Sequence, residues 1–369
     1  MAIDIEVREL GQKRMGAILP ATMPALRKLN DAPGLTFCPE IDVPRRLGPR
    51  DVLIRVTHAG ICGTDRHIFE WDAWSQSRVK LGITTGHEFC GRVVALGDAV
   101  QRVELGTRVS AEGHIGCGTC RFCRTGNAHI CRDVKILGID CNGCFATYLA
   151  VPEENVWPVA DPIPDEVAAV FDPLGNAVHT VMTAGVSGRS VLVTGVGIIG
   201  LMAVTVARAA GASKILATDV DPRRLELARE LGADDVFDAR SPWVNEIRQA
   251  TEGYGPEVLL EMSGHERAIS DGFKALQNGG TAALLGLPSA PISIDWSNAI
   301  IFKGATVLGI NGRRMFETWF QMQDLVLSGR LRLDSIITHV LDMEEFETGF
   351  RLMQTGEAIK VVMRIPPSD

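Results

Sequence analysis

From Met15 to about Phe171 the apolar residues come in short runs broken by Pro, Gly and Asp. Asp51–Val56, Phe89–Leu96 and Arg108–Ser110 predict strands joined by irregular loops, which suggests an antiparallel, partly open barrel. Near Ser190 the pattern changes. Ser190–Thr194 is a short β-branched run, followed by Gly195-Val196-Gly197-Ile198-Ile199-Gly200 and an apolar helix ending near Gly211. Lys214–Thr218 predicts a second strand ending at Asp219. Asp221 then suits a helix N-cap and Pro222 the first helical position, with Arg223–Leu231 following and Gly232 as the stop. Asp235–Phe237, Val258–Met262, Thr281–Gly286 and Thr306–Ile310 supply further strands, with a helix at Glu266–Gln277. Six strands alternating with helices predict a doubly wound α/β domain with a parallel sheet.

After Ile310 helical periodicity returns at Met315–Ser328 and Met343–Gln354, and the chain ends in an apolar strand at Lys360–Ile365. This last piece is expected to pack on the first domain, making the α/β domain an insertion. The expected organisation is an arm (1–14), a mostly β domain (15–175) with a cysteine lobe (113–132), the α/β domain (176–313), and a return to the first domain (314–369).

A chain of 369 residues exceeds what one core usually serves, which fits two domains. A net charge of −8 and the lack of any basic run exclude a nucleic-acid-binding surface. No apolar stretch approaches the twenty or so residues of a membrane span, and the first fourteen residues lack the apolar core of a secretory signal. The expectation is a cytoplasmic protein.

Nine cysteines are many for a reducing compartment unless several bind metal. Cys117, Cys120, Cys123 and Cys131 offer four thiolates within fifteen residues, the donor set of a closed structural zinc site. An iron–sulfur cluster is the rival, but the last gap is too long for the bacterial ferredoxin run and Arg132 stands where a proline is expected. Disulfides do not suit a cytoplasmic enzyme. Cys141 and Cys144 read as free thiols, and Cys38 and Cys90 as packing residues.

A second constellation runs from Gly60 to Gly91. Cys62, His87 and Glu88 are ligand types of a zinc site that keeps one position open for chemistry; the plainer reading is a buried Cys among glycine turns. Thr64 and His67, three residues apart, suit a proton relay from hydroxyl to imidazole to solvent, although His67 reads equally as a surface histidine. Asp172, at the junction of the two predicted domains, is either an intermittent metal ligand that tunes bound water or the residue of an Asp-Pro turn.

The glycine pattern Gly195, Gly197, Gly200, set between a strand and a helix with Asp219 closing the next strand, predicts dinucleotide binding. Asp219 can accept from a ribose diol and repels a 2′-phosphate, which favours NAD over NADP. Arg223 and Arg224 are either solvated or placed to take that phosphate. A nicotinamide site beside zinc has one chemical logic: the metal lowers the pKa of a substrate hydroxyl and the carbon delivers hydride to the cofactor.

Together these residues resemble the zinc-containing, medium-chain alcohol dehydrogenase superfamily, over about Met15 to the C-terminus. Gly86-His87-Glu88, the four-cysteine lobe and the glycine fingerprint carry the likeness. Trp71-Asp72-Ala73-Trp74-Ser75-Gln76, Glu112-Gly113-His114-Ile115, Phe171–Thr180, Ser293-Ile294-Asp295-Trp296 and Met315-Phe316-Glu317-Thr318-Trp319 point to its threonine-oxidising branch. The resemblance implies a six-stranded Rossmann domain inserted in a GroES-like, mostly β catalytic domain, with two zinc ions per chain. It implies Cys62, His87 and Glu88 on the catalytic zinc and the four clustered cysteines on the structural one. Thr64 and His67 become the relay, and Asp172 tunes the zinc-bound water. For NAD it points to Ile199, Asp219 and Arg224, to Leu285, Gly286 and Leu287, and to Ile310 and Asn311.

The implied reaction oxidises the β-hydroxyl of L-threonine to 2-amino-3-oxobutanoate in a homotetramer. The product passes to a pyridoxal-phosphate 2-amino-3-oxobutanoate CoA ligase. A polyol, a vicinal diol or another β-hydroxy amino acid is the alternative substrate, and a non-catalytic dinucleotide sensor is the alternative class. Asn311, where relatives commonly carry an aromatic residue, and Ile198, where they commonly carry proline, depart from the pattern.

Overall fold

The computed structural model describes residues 19–367, so the expected arm and the start of the fold at Met15 lie outside the described residues. Contacts divide the chain into two units, one of residues 19–172 with 337–367, the other of residues 173–336.

In the first unit β1 (Thr22–Lys28) pairs antiparallel with β2 (Thr36–Asp42). β3 (Asp51–Ile61) is the long central strand. Helices α1 (Gly63–Glu70) and α2 (Ala73–Arg78) follow, then β4 (Ile83–Thr84) against β1, β5 (Glu88–Leu96) and β6 (Arg108–Ala111). The sequence ends β3 at Val56, where its alternation stops. The structure carries the strand on to Ile61 because its small residues pair across both edges, and Gly60 lies opposite Glu88. That register sets the exit of β3 beside the entry to β5, which is how Cys62 meets His87.

The two-stranded ribbon of β7 (His114–Ile115) and β8 (Lys135–Ile136) closes the cysteine lobe, which holds α3 (Arg121–Arg124). β9 (Tyr148–Pro152) pairs with β3, β10 (Val156–Pro158) with β6, and α4 (Asp165–Ala169) precedes α5 (Phe171–Ala184), within which the unit boundary falls.

The second unit follows the expected alternation. It runs β11 (Ser190–Thr194), α6 (Ile198–Ala209), β12 (Lys214–Asp219), α7 (Pro222–Leu231), β13 (Asp235–Asp238), α8 (Val244–Ala250), β14 (Val258–Glu261), α9 (Glu266–Ala275), β15 (Thr281–Leu284) and β16 (Thr306–Gly309). All six strands are parallel, in the order β13-β12-β11-β14-β15-β16. The order reverses between β11 and β14, the switch point at which doubly wound sheets bind ligands. Buried Leu192, Leu216, Leu259 and Phe273 form its core.

The unit also keeps α10 (Glu317–Leu327), which the sequence assigns to the return segment. Trp319 and Met322 are fully buried, and beyond the helix Arg332 donates to Thr205 and to the carbonyl of Glu230. The Arg332 bonds tie the segment after α10 to α6 and α7. The chain rejoins the first unit as β17 (Ile337–Asp342), α11 (Phe346–Gln354) and β18 (Lys360–Arg364), with β18 antiparallel to β3. No helix among the described residues is long and apolar enough to cross a membrane.

Candidate active site

Cys62 is the N-cap of α1. Its Sγ accepts from the Asp65 amide at 3.4 Å, and Asp65 Oδ2 accepts from the Cys62 amide at 3.0 Å, a capping box with a thiol in the usual hydroxyl position. The same Sγ lies 3.2 Å from His87 Nε2. Donor atoms of Cys62, Asp65 and His87 lie within 4.8 Å of one another, as do those of His87, Glu88 and Asp172. His87 links the two sets, so Glu88 shares its set with Asp172 rather than with Cys62. Asp65, which the sequence reading passed over, stands with the Cys-His pair.

Buried Glu88 forms an ion pair with the equally buried Lys360 of β18, which also donates to the carbonyl of Ile61 at 2.7 Å. A Cβ at Gly60 would sit 2.4 Å from Glu88 Oε2, so the glycine leaves the room that this pair occupies. Burial pushes the Cys62 thiol well up, and the nearby Asp65 and Glu88 push it further. Burial also raises the Glu88 carboxyl, against the pull of Lys360. A half-buried thiol, a buried imidazole and three buried carboxylates, with one ammonium paired to Glu88, make a negative, mixed S/N/O donor set, which fits a divalent zinc-type cation.

Thr64 and His67 lie three residues apart on α1, Thr64 half-buried and His67 exposed. His67 Nδ1 is 2.7 Å from Asp72 Oδ2.

In the cysteine lobe the four sulfurs of Cys117, Cys120, Cys123 and Cys131 all lie within 4.8 Å of one another, with 3.6 Å from Cys120 to Cys123 and 3.8 Å from Cys120 to Cys131. A tetrahedron of Zn–S bonds near 2.3 Å has edges of about 3.8 Å. Backbone amides point at the sulfurs: Cys120 N–H donates to Cys117 Sγ, and Cys117 and Asp133 N–H donate to Cys131 Sγ. The Thr119 hydroxyl draws the Cys117 thiol down to about 6, whereas burial pushes Cys123 up to about 12. Four thiols this close cannot all ionise without a cation among them. Among the described residues all nine cysteines are free of disulfides; outside the two clusters, Cys90 and Cys144 are buried, whereas Cys38, expected as a packing residue, is only half-buried, as is Cys141.

In the second unit the glycine turn sits at the end of β11. Gly195 has φ +82°, and a Cβ there would strike Ser263; a Cβ at Gly200 would lie 2.0 Å from the carbonyl of Gly195. Gly197 instead faces open space at the N-terminus of α6, a twelve-residue helix with no side-chain cap. This leaves unpaired N–H groups and the positive end of a helix dipole, the cradle a pyrophosphate requires. Buried Asp219, at the end of β12, accepts from Val196 N–H at 2.8 Å and from Asp221 N–H at 2.9 Å, and its carboxylate has lone pairs left for a diol. Arg223 pairs with Asp221, while half-buried Arg224 keeps a buried Nε with no partner among the described residues.

Ile199 is half-buried beside Gly200. Leu285 and Gly286 donate to the carbonyl of Glu261, Leu287 is 91% exposed, and Ile310 and Asn311 follow β16. The sequence reading missed Glu261, a fully buried acid that gathers Ser263, Gly264 and Thr194 at the end of β14. A lone acid in the apolar run Val258–Met262 was its signal, as a lone lysine beginning an apolar strand was for Lys360.

The family model for zinc-binding dehydrogenases matches residues 199–328, and that for the alcohol dehydrogenase GroES-like domain matches residues 48–161. An L-threonine 3-dehydrogenase of Symbiobacterium thermophilum is 46% identical over 93% of this chain and 97% of its own. One from Bacillus licheniformis is 46% identical over 94% and 99%. The solved alcohol dehydrogenase of Thermus sp. ATN1 superposes with a TM-score of 0.84 at 32% identity, covering 93% of this chain and all of its own. With its GroES-like and Rossmann units, the chain belongs to the zinc-binding, medium-chain alcohol dehydrogenase family.

Proposed function

We propose that the protein is a zinc- and NAD-dependent L-threonine 3-dehydrogenase, which oxidises the β-hydroxyl of L-threonine to L-2-amino-3-oxobutanoate. The observation that carries this reading is the pairing of half-buried Cys62 with buried His87 and the buried carboxylates beside them, in a chain that also presents an open glycine cradle and Asp219 at the switch point of a parallel sheet. The 46% identical relatives, spanned almost whole, support threonine as substrate.

Cys62, His87 and Glu88, with Asp172 alongside, would hold a zinc ion whose Lewis acidity lowers the pKa of an alcohol. NAD supplies the hydride acceptor. Gly197 and the free N–H groups of α6 bind the pyrophosphate, and Asp219 takes the ribose diol, which excludes a 2′-phosphate. Ile199, Arg224, Leu285–Leu287, Ile310 and Asn311 complete the cofactor's surroundings. Thr64 would accept the hydroxyl proton as it gives its own to His67, which is exposed on the same helix and would release it to solvent. The cysteine lobe, on its own zinc, is structural.

We further place the enzyme in the cytoplasm, where nine unpaired cysteines persist, and read it as a homotetramer that delivers its unstable product to a pyridoxal-phosphate ligase. Self-association is supported by the open edge of the six-stranded sheet at β16, near which Ile301, Phe302 and Val307 are exposed. Metal analysis tests the site. The purified protein is expected to hold two zinc per chain. Cys62→Ser is expected to hold one and to lose turnover, and a fully active Cys62→Ser enzyme would overturn the assignment.

A further inference from the structure

We infer that Asp72 is the positioning residue of the proton relay, fixing the His67 imidazole in one tautomer while it caps the next helix. The inference rests on the relay reading above. Asp72 Oδ1 accepts from Ser75 N–H at 2.9 Å and so caps α2; Oδ2 faces His67 Nδ1 at 2.7 Å. One carboxylate in one rotamer performs both tasks. Burial raises the Asp72 carboxyl, but the hydrogen bonds from Ser75 and His67 outweigh it and hold the group below the usual carboxylate range. An ionised carboxylate can only accept, so Nδ1 of neutral His67 carries the proton and Nε2 keeps the lone pair that a relay needs.

The turn that spaces the two groups is fixed independently. Trp71, between them, is held at φ 57°, a left-handed conformation that a bulky residue adopts only when its surroundings impose it. Its amide donates to the carbonyl of His67 at 2.9 Å, its indole N–H donates to Asp31 at 2.5 Å, and Lys28 Nζ stands 4.2 Å from its ring centroid. Trp74 packs edge-on against the imidazole, with ring centroids 6.2 Å apart. The ring is thus held by a carboxylate at one nitrogen and by an aromatic neighbour, with its other nitrogen available.

The test is a double-mutant cycle in the zinc-loaded enzyme, with solvent deuterium isotope effects on kcat. Asp72→Asn keeps an oxygen for the α2 cap but offers His67 an N–H, which favours the wrong tautomer; Asp72→Ser keeps the cap and cannot reach the ring. Both are expected to keep zinc content and the KM for NAD, to lower kcat by about tenfold or more, and to enlarge the isotope effect. In a His67→Asn background the same changes should cost less than about twofold, because the group they act through is gone. Equal losses in both backgrounds, or an unimpaired Asp72→Asn beside an impaired His67→Asn, would overturn the positioning role and leave the relay standing. An unimpaired His67→Asn would overturn the relay itself.

Discussion

Lys360 carries more of the site than its place in a terminal strand suggests. It is 1% exposed, pairs with Glu88 and reaches the carbonyl of Ile61, so its ammonium has left water entirely. Such a pair adds little net stability over an apolar one, because desolvation offsets the attraction; removing one partner leaves an uncompensated charge. Lys360→Met is therefore expected to cost about 3–5 kcal/mol, read as a lower urea midpoint of the first unit, with much of the loss restored by Glu88→Gln in the same chain. An unchanged midpoint would show that Glu88 is held by other groups. Neither residue's chemistry is visible locally: the sequence shows a Gly-His-Glu and, some 270 positions on, a lysine opening an apolar run. Only the antiparallel register of β18 on β3, with Val361 opposite Ile61, brings them together.

Among the elements, those with strong periodicity were legible. Each of the six strands of the α/β unit begins within a residue of its predicted run; the central strands β11, β12 and β14 are buried along nearly their whole length and so are apolar almost throughout. α8 was not, since Val244–Ala250 is only seven residues long and fully buries only Ile247, with Val244 and Ala250 half-buried at its ends. The far half of β3 was missed for the opposite reason: pairing on both edges overrides a weak local pattern. The gathering of the four lobe cysteines was legible because they are local in sequence, whereas the set around Cys62 joins three separate segments.

α4 shows how charge ties an element down. Asp165 accepts from Arg108 at 2.8 Å and from Thr57 at 3.3 Å, anchoring the helix to β6 and β3. Burial raises the Asp165 carboxyl, but its bonds from Arg108 dominate and leave it lowered. A lowered carboxyl adds stability above its unfolded pKa, near 3.9, that is lost as pH falls through the folded value. Wild type should therefore lose stability relative to Asp165→Asn as pH drops below about 4, with the difference between them constant above it. Acid unfolding monitored by circular dichroism checks this, and parallel acid slopes for the two proteins would contradict it.

At the scale of the molecule, two units are built on different patterns: one gathers thiol, imidazole and carboxylate groups that could hold a metal near the end of β3, the other places a glycine turn and an uncapped helix N-terminus at the switch point of a parallel sheet. Both are required for hydride transfer from an alcohol, and the family accounts for their presence together. Which alcohol is oxidised is the central claim, and relatives rather than geometry supply it. The direct measurement is NADH formation by the zinc-loaded enzyme with L-threonine, L-serine, 2,3-butanediol and sorbitol, with the product identified. Threonine is predicted to be turned over fastest, giving one aminoacetone, the decarboxylation product of a β-keto acid, per NADH. Turnover of the diol or sorbitol with none on threonine would contradict it.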